Sequence, residues 1–192
     1  MENIYLKLAQ HRTLETDRLL LRPVTLDDAE DMFEYASDLE TIRYVTFLPH
    51  ETVEDSRNQI AQFFLAFPLG SYGIEVKDTG KFIGTFAFVD LKEDVKKAEV
   101  GYCINKDYWN QGYGTEVLRE MVKFSFEELD LNCLTARHDC ENPASGRVME
   151  KAGFLFSHTD PYAMLDRKVE NRMIRTKHYL LTKEDYFKED RQ

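Results

Sequence analysis

Tyr108-Trp109-Asn110-Gln111-Gly112-Tyr113-Gly114-Thr115 is the stretch of this chain whose residue types and spacing could do chemistry. It joins an apolar run, Val100-Gly101-Tyr102-Cys103-Ile104, which reads as a strand, to a helical run beginning at Thr115. A strand that feeds a helix through a glycine turn aims several backbone N–H groups at one point. Those groups and the positive end of the helix dipole make an anion site, most naturally for phosphate. Glycine at 112 and 114 lets a ligand reach the main chain with no Cβ in the way. A glycine pair is also an ordinary turn signal. Two familiar phosphate loops are excluded: a dinucleotide fingerprint needs a glycine where Val117 stands, and no Gly-Lys-Ser/Thr of a Walker loop occurs.

Three further groups could act on a substrate. Asn142 reads as a helix N-cap with Pro143 at the first helical position, and Ser145 follows near the same face of that helix. Glu99 precedes the Val100-Gly101 bend, and a carboxylate in a partly apolar cleft is tuned toward use as a general base. His138-Asp139-Cys140 has no second ligand pair, so no metal site is expected. Cys103 and Cys133 lie in apolar runs and are expected in the core.

The elements that must position these residues follow from periodicity and punctuation. Residues 18–24 read as a strand ended by Pro23, and Thr25 with Asp28 forms a capping box ahead of a short helix. Residues 38–49 lack regular periodicity and read as a loop. A helix is expected from Thr52 to Phe67, with Val53, Ile60, Phe63, Phe64 and Phe67 as its apolar stripe. Tyr72–Lys77 and Lys81–Val89 form a hairpin around Asp78-Thr79-Gly80. Ala98–Ile104 is the next strand, with a bulge expected at Gly101. Thr115–Glu128 is an amphipathic helix facing inward through Leu118, Met121, Val122 and Leu129. Residues 132–138 are a strand, a helix from Asn142 stops at Gly153, Phe154–Ser157 is strand-like, 160–171 is a loop, and Met173–Leu181 is the last strand. The fold class is α+β, with helices packed on a mixed, mostly antiparallel sheet, in a single domain over 1–192.

Composition excludes several classes. A chain that is 43% apolar and 12% aromatic is globular rather than disordered. Its net charge of −10 argues against a protein that tracks nucleic-acid phosphates and favours cationic or amine partners. The start, Met1-Glu2-Asn3-Ile4-Tyr5, has no basic region followed by an apolar core, and no apolar run is long enough to span a membrane. The expectation is a cytoplasmic protein without membrane or nucleic-acid partners. Its oligomeric state is left open between monomer and homodimer.

Trp109-Asn110-Gln111-Gly112-Tyr113-Gly114-Thr115-Glu116 resembles the pyrophosphate loop of the GNAT (Gcn5-related) N-acetyltransferases. More narrowly, the chain resembles the branch that acetylates ribosomal-protein N-termini. Two more stretches match that branch: Leu14-Glu15-Thr16-Asp17-Arg18-Leu19-Leu20-Leu21-Arg22-Pro23 and Asn142-Pro143-Ala144-Ser145-Gly146-Arg147-Val148-Met149-Glu150-Lys151-Ala152-Gly153-Phe154. The resemblance implies the GNAT fold and acetyl-CoA as acyl donor. It implies that Asn110, Gln111, Gly112, Tyr113, Gly114 and Thr115 hold the pyrophosphate. It also implies that the main chain of Tyr102, Cys103 and Ile104 pairs with the pantetheine arm, and that Asn142 bonds that arm. By the same resemblance Ser145 lies near the sulfur as proton donor or anchor, and it is the candidate acid because the tyrosine that many family members use is Met149 here. A glutamate that many members carry five residues before the asparagine is Arg137 here, which leaves Glu99 as the base, with Asp139, Glu141 and His138 in reserve. Trp109 stands where many members have Gln or Arg, and its expected role is to pack the loop.

The leading function is therefore transfer of an acetyl group from acetyl-CoA to a primary amine by direct attack in a ternary complex, the amine being a protein N-terminus. The alternatives are a small amine acceptor (a polyamine, an amino acid or an antibiotic) and a CoA-binding protein without catalysis.

Overall fold

The computed structural model describes residues 3–189. Eight strands are hydrogen-bonded in the order β1-β2-β3-β4-β5-β6-β8-β7. They are β1 (Leu14–Glu15), β2 (Leu19–Arg22), β3 (Ser71–Val76), β4 (Lys81–Lys92), β5 (Lys97–Ile104), β6 (Cys133–Asp139), β7 (Leu155–Leu165) and β8 (Met173–Thr182). The β5–β6 pair is parallel and the β1–β2, β2–β3, β3–β4, β6–β8 and β7–β8 pairs are antiparallel, so the sheet is mixed and the class α+β. The helices are α1 (Ile4–Gln10), α2 (Ala29–Ala36), α3 (Val53–Gln59), α4 (Tyr113–Lys123), α5 (Pro143–Lys151) and α6 (Lys183–Glu189). Among the described residues no helix is long and apolar enough to cross a membrane.

The chain forms two compact units: residues up to Ala87 with Tyr102–Val117, and Phe88–Gly101 with the chain from Leu118 on. In the first unit, β2 alternates as its sequence requires. Leu19 and Leu21 are fully buried, while Leu20 and Arg22 are half-buried. Pro23, which lacks an N–H, ends the strand. The capping box of Thr25 and Asp28 is present, and Asp28 also takes the Arg22 guanidinium at 2.7 Å, so the cap is tied to the sheet. Val24, Ala29, Met32, Tyr35, Ala36, Ile60, Phe82 and Cys103 form one buried cluster.

The helix from Thr52 departs from its expected stripe. It is α-helical to Gln59 and π-helical over Ile60–Leu65, where bonds of the i→i+5 kind widen the turn. Ile60 stays fully buried and Phe64 packs on the cluster, but the wider turn carries Phe63 and Phe67 outward, to 55% and 73% exposed. Helix α4 starts at Tyr113, two residues earlier than expected, and it too ends in a π-helical stretch, Phe124–Glu128. Leu118, Met121, Val122 and Leu129 are buried as its periodicity demands.

In the second unit, β7 runs through Leu165, so half of the expected 160–171 loop is strand and the turn is confined to 166–172. Pairing with β8 breaks between Asp160 and Met164, which accommodates Pro161. A strand at the end of the sheet order tolerates proline and polar residues, which is why its composition read as loop. Cys133 is half-buried rather than core, and Cys103 is buried. Helices α1 and α6 and the short β1 carry too little periodicity to be read from sequence.

One contact in the first unit fixes the end of β5. A Cβ on Gly84 would stand 2.1 Å from the Cys103 carbonyl oxygen and 2.9 Å from the Ile104 Cα. The Asn105 N–H donates to the Ile83 carbonyl at 2.8 Å beside it. Only a residue without a side chain permits that backbone approach. Gly84→Ala is therefore expected to destabilise the protein by about 2 kcal/mol or more, because backbone atoms cannot yield as a side chain could. A chemical-denaturation midpoint equal to wild type would show that the approach is not constrained.

Candidate functional site

From the end of β5 the chain is locked step by step into a helix N-terminus, all within the first unit. Asn105, which is buried, accepts from the Asp107 N–H at 3.1 Å and donates to Glu34 at 2.8 Å, starting a 3₁₀ turn over Lys106–Tyr108. The Trp109 indole N–H donates to the Ile104 carbonyl at 2.7 Å, so the tryptophan folds back on the strand it follows. Its packing role thus includes a hydrogen bond. Gln111 donates to the Asp107 carbonyl at 2.9 Å. Asn110 and Gly112 have φ of 58° and 86°, a reversal that asparagine and glycine accept readily. The first helical bond runs from Glu116 N–H to the Gly112 carbonyl at 3.0 Å. The N–H groups of Tyr113, Gly114 and Thr115 lie ahead of it, where a helix has no acceptors of its own. This is the geometry of an anion site.

The loop is also tethered from a distant segment. The Glu116 carboxylate accepts from Thr16 Oγ at 2.5 Å, from the Arg18 backbone N–H at 3.0 Å and from Arg18 Nε at 2.7 Å. Arg18 further donates to the Gln111 carbonyl at 2.9 Å and lies over the Tyr113 ring at 4.3 Å. Burial pushes the Glu116 carboxyl up, but the bonds from Thr16 and Arg18 outweigh it and hold it below the ordinary range. A Cβ on Gly112 would meet Arg18 NH2 at 3.3 Å, so that glycine answers to its positive φ and to this guanidinium.

The other candidates lie in the second unit. Glu99 stands opposite Thr135 on the parallel β5–β6 ladder, which runs in register from Lys97 to Val100 and ends before Gly101. Its carboxylate accepts from Arg137 Nε at 3.0 Å. The surroundings expected to be apolar are thus a guanidinium, supplied by Arg137, which stands where many of the proteins that the chain resembles carry a glutamate. Asn142 caps α5 as expected, accepting the Ser145 N–H at 3.3 Å, and Met149 is buried in the core.

The reserve bases are committed elsewhere. Along β6 side chains alternate, so Arg137 shares a face with Glu99 while His138 lies on the opposite one, against α5. His138 is buried, with Nδ1 bonded to the Asp139 carbonyl at 2.7 Å, and burial lowers its pKa. Asp139 and Asp166 both take Arg172 at 2.6 Å, and Glu141 takes it at 3.1 Å. This cluster pins the 166–172 turn to the turn between β6 and α5. Asp38 and Glu40 pair with Lys106 at 2.7 and 3.3 Å. Among the described residues no three His, Cys, Asp or Glu side chains gather as metal ligands.

Residues 18–155 match the model of the acetyltransferase (GNAT) domain family. The chain is 36% identical over 144 residues to the uncharacterized N-acetyltransferase YoaA of Bacillus subtilis, covering 73% of this chain and 81% of that one. It is 29% identical over 188 residues to the FsC-acetyl coenzyme A-N(2)-transacetylase of Aspergillus fumigatus, covering 92% of this chain and 78% of that one. Among solved structures it is similar to the GNAT-family acetyltransferase from Bacillus anthracis, with a TM-score of 0.80 at 25% identity, covering 90% of this chain and 99% of that one.

The Arg172 cluster makes stability depend on pH. Burial raises the Asp166 carboxyl, but the Lys168 N–H and the Arg172 guanidinium more than offset it and leave it below the ordinary carboxylate value. A depressed folded value means stability that is present above the unfolded value and lost as pH falls through the folded one. Melting temperatures measured from about pH 7 down to about pH 3 should fall for wild type and fall less for Asp166→Asn, which starts lower. Parallel curves would remove Asp166 from the acid response.

Proposed function

The chain belongs to the GNAT family of acetyltransferases, and we propose that it transfers the acetyl group of acetyl-CoA to an α-amine at a protein N-terminus. That it is an acetyl-CoA-dependent N-acetyltransferase comes with the family; the acceptor and the residue roles are the proposal. The observation that carries the donor site is the tethered helix start, with the N–H groups of Tyr113, Gly114 and Thr115 ahead of the first helical bond and Gly112 preceding them. In this reading Asn110, Gln111, Gly112, Tyr113, Gly114 and Thr115 hold the pyrophosphate. The main chain of Tyr102, Cys103 and Ile104 and the Asn142 amide serve the pantetheine arm. The three cysteines carry no disulfide, which suits a cytoplasmic enzyme.

Chemistry follows from the groups assigned. The amine nitrogen attacks the thioester carbonyl, a C–N bond forms, and the resulting oxyanion expels the thiolate as the C–S bond breaks. The proton leaving nitrogen goes to the Glu99 carboxylate, whose position Arg137 fixes. The thiolate is a good leaving group, so the Ser145 hydroxyl need only steady it or return a proton.

An α-amine has a pKa near 8 and a lysine side chain near 10.4, so at pH 7 about a tenth of the former is neutral but well under a thousandth of the latter. A single carboxylate suits the first. A small-molecule amine acceptor is the second reading.

Two measurements test this. Release of free CoA thiol from acetyl-CoA should require an added amine and run faster with N-terminal peptides than with polyamines or free amino acids. A strong preference for a small amine would establish the second reading. Glu99→Gln should slow the reaction most near neutral pH, the deficit shrinking as pH rises past the α-amine's own pKa of about 8. A pH–rate profile parallel to wild type would remove Glu99 as the base.

A further inference from the structure

Arg18 does more at the loop than tie it down. Its Nε and NH2 engage Glu116 Oε2 at 2.7 and 2.6 Å, and NH1 engages the Gln111 carbonyl at 2.9 Å. A guanidinium carries two hydrogens on each terminal nitrogen, so one on NH1 and one on NH2 remain beyond these bonds. The group lies over Tyr113, the first residue of α4, and NH2 is 3.3 Å from where a Cβ of Gly112 would be. Gln111 and Gly112, which the guanidinium meets, belong to the loop that leads into α4. The side chain is 45% exposed, so a ligand can reach it.

Charge gives the same answer. Glu116 stands in the first turn of α4, where a bare carboxylate would repel any anion drawn to the helix N-terminus. Arg18 cancels that charge. Thr16 Oγ and the Arg18 backbone N–H occupy the other carboxylate oxygen, so Glu116 holds the guanidinium in one orientation. A guanidinium is planar, and its two remaining donors can meet the oxygens of a pyrophosphate.

We propose that Arg18 is a direct ligand of the acetyl-CoA pyrophosphate, with Thr16 and Glu116 as positioning residues that aim it. This rests on the reading of residues 110–115 as the pyrophosphate loop. The Thr16-Asp17-Arg18 segment is then part of the donor site although it precedes the loop by more than ninety residues.

Calorimetric titration with acetyl-CoA tests the assignment. Arg18→Ala should weaken binding by about tenfold or more, the scale of one charge-assisted contact. Arg18→Lys should recover part of it, because a point charge cannot fork. Glu116→Gln, which breaks the ion pair but leaves the guanidinium, should lose clearly less than Arg18→Ala. S-acetyl-pantetheine, which lacks the pyrophosphate, should bind wild type and Arg18→Ala alike. Equal losses in Arg18→Ala and Glu116→Gln would reduce Arg18 to a tether, and an equal loss for S-acetyl-pantetheine would place its action away from the phosphates. Either overturns the proposal, as does unchanged acetyl-CoA binding in Arg18→Ala. If Arg18→Ala does not fold, the comparison of Arg18→Lys with Glu116→Gln decides in the same way. Gly114→Val separates the two levels: loss of acetyl-CoA binding there with retention in Arg18→Ala defeats the Arg18 assignment alone. Retention in Gly114→Val defeats the loop reading beneath it.

Discussion

The Glu116 carboxylate is the fixed point on which the loop before α4 depends. It accepts three donors, from Thr16, from the Arg18 backbone and from the Arg18 guanidinium, and so joins the strand region at the beginning of the chain to the first turn of α4. A helix N-terminus attracts anions wherever it occurs, but its N–H groups bind one well only if the preceding loop cannot fluctuate. Here the loop is fixed at its start and near its middle. Trp109 ties its start to the Ile104 carbonyl, and Arg18 ties Gln111 near its middle. The Gly84 backbone approach holds the strand from which it springs. Preorganisation of this kind lowers the entropy lost when a flexible donor such as CoA is bound.

The second unit uses the inverse arrangement, carboxylates gathered around one guanidinium. Arg172 holds Asp139, Glu141 and Asp166, and thereby fixes the turn that presents Asn142 and Ser145. Asn142 serves first as a cap, a contribution of about 1 kcal/mol to α5, so its side-chain oxygen already has a partner in the Ser145 N–H. Glu99 is set by Arg137 across the parallel pair. The apolar setting expected of Glu99 from sequence is thus replaced by an ion pair.

What could be read in the sequence was local. The capping box at Thr25 and Asp28, the hairpin turn ending in Gly80 and the cap at Asn142 each involve residues within a few positions of one another, and each is present. What could not be read was geometry set at a distance. Thr16 and Arg18 were visible as a motif, yet their bonds to Glu116 join residues about one hundred positions apart. The π-helical turn that exposes Phe63 and Phe67 leaves no mark in a pattern tested against a 3.6-residue period. Strand β7 hid behind Pro161 and polar residues because pairing with β8, not its own periodicity, makes it a strand. Arg137 was legible as a departure from the family, but its place beside Glu99 depends on the parallel register of β5 and β6.

The central claim is that backbone N–H groups at the start of α4 bind the acetyl-CoA pyrophosphate. Amide resonances of isotopically labelled protein, followed during titration with acetyl-CoA, address it directly. The account predicts the largest shifts at Gly112, Tyr113, Gly114 and Thr115, reproduced by CoA and much reduced with S-acetyl-pantetheine. Acetyl-CoA that saturates the protein while those four amides stay unmoved would contradict it.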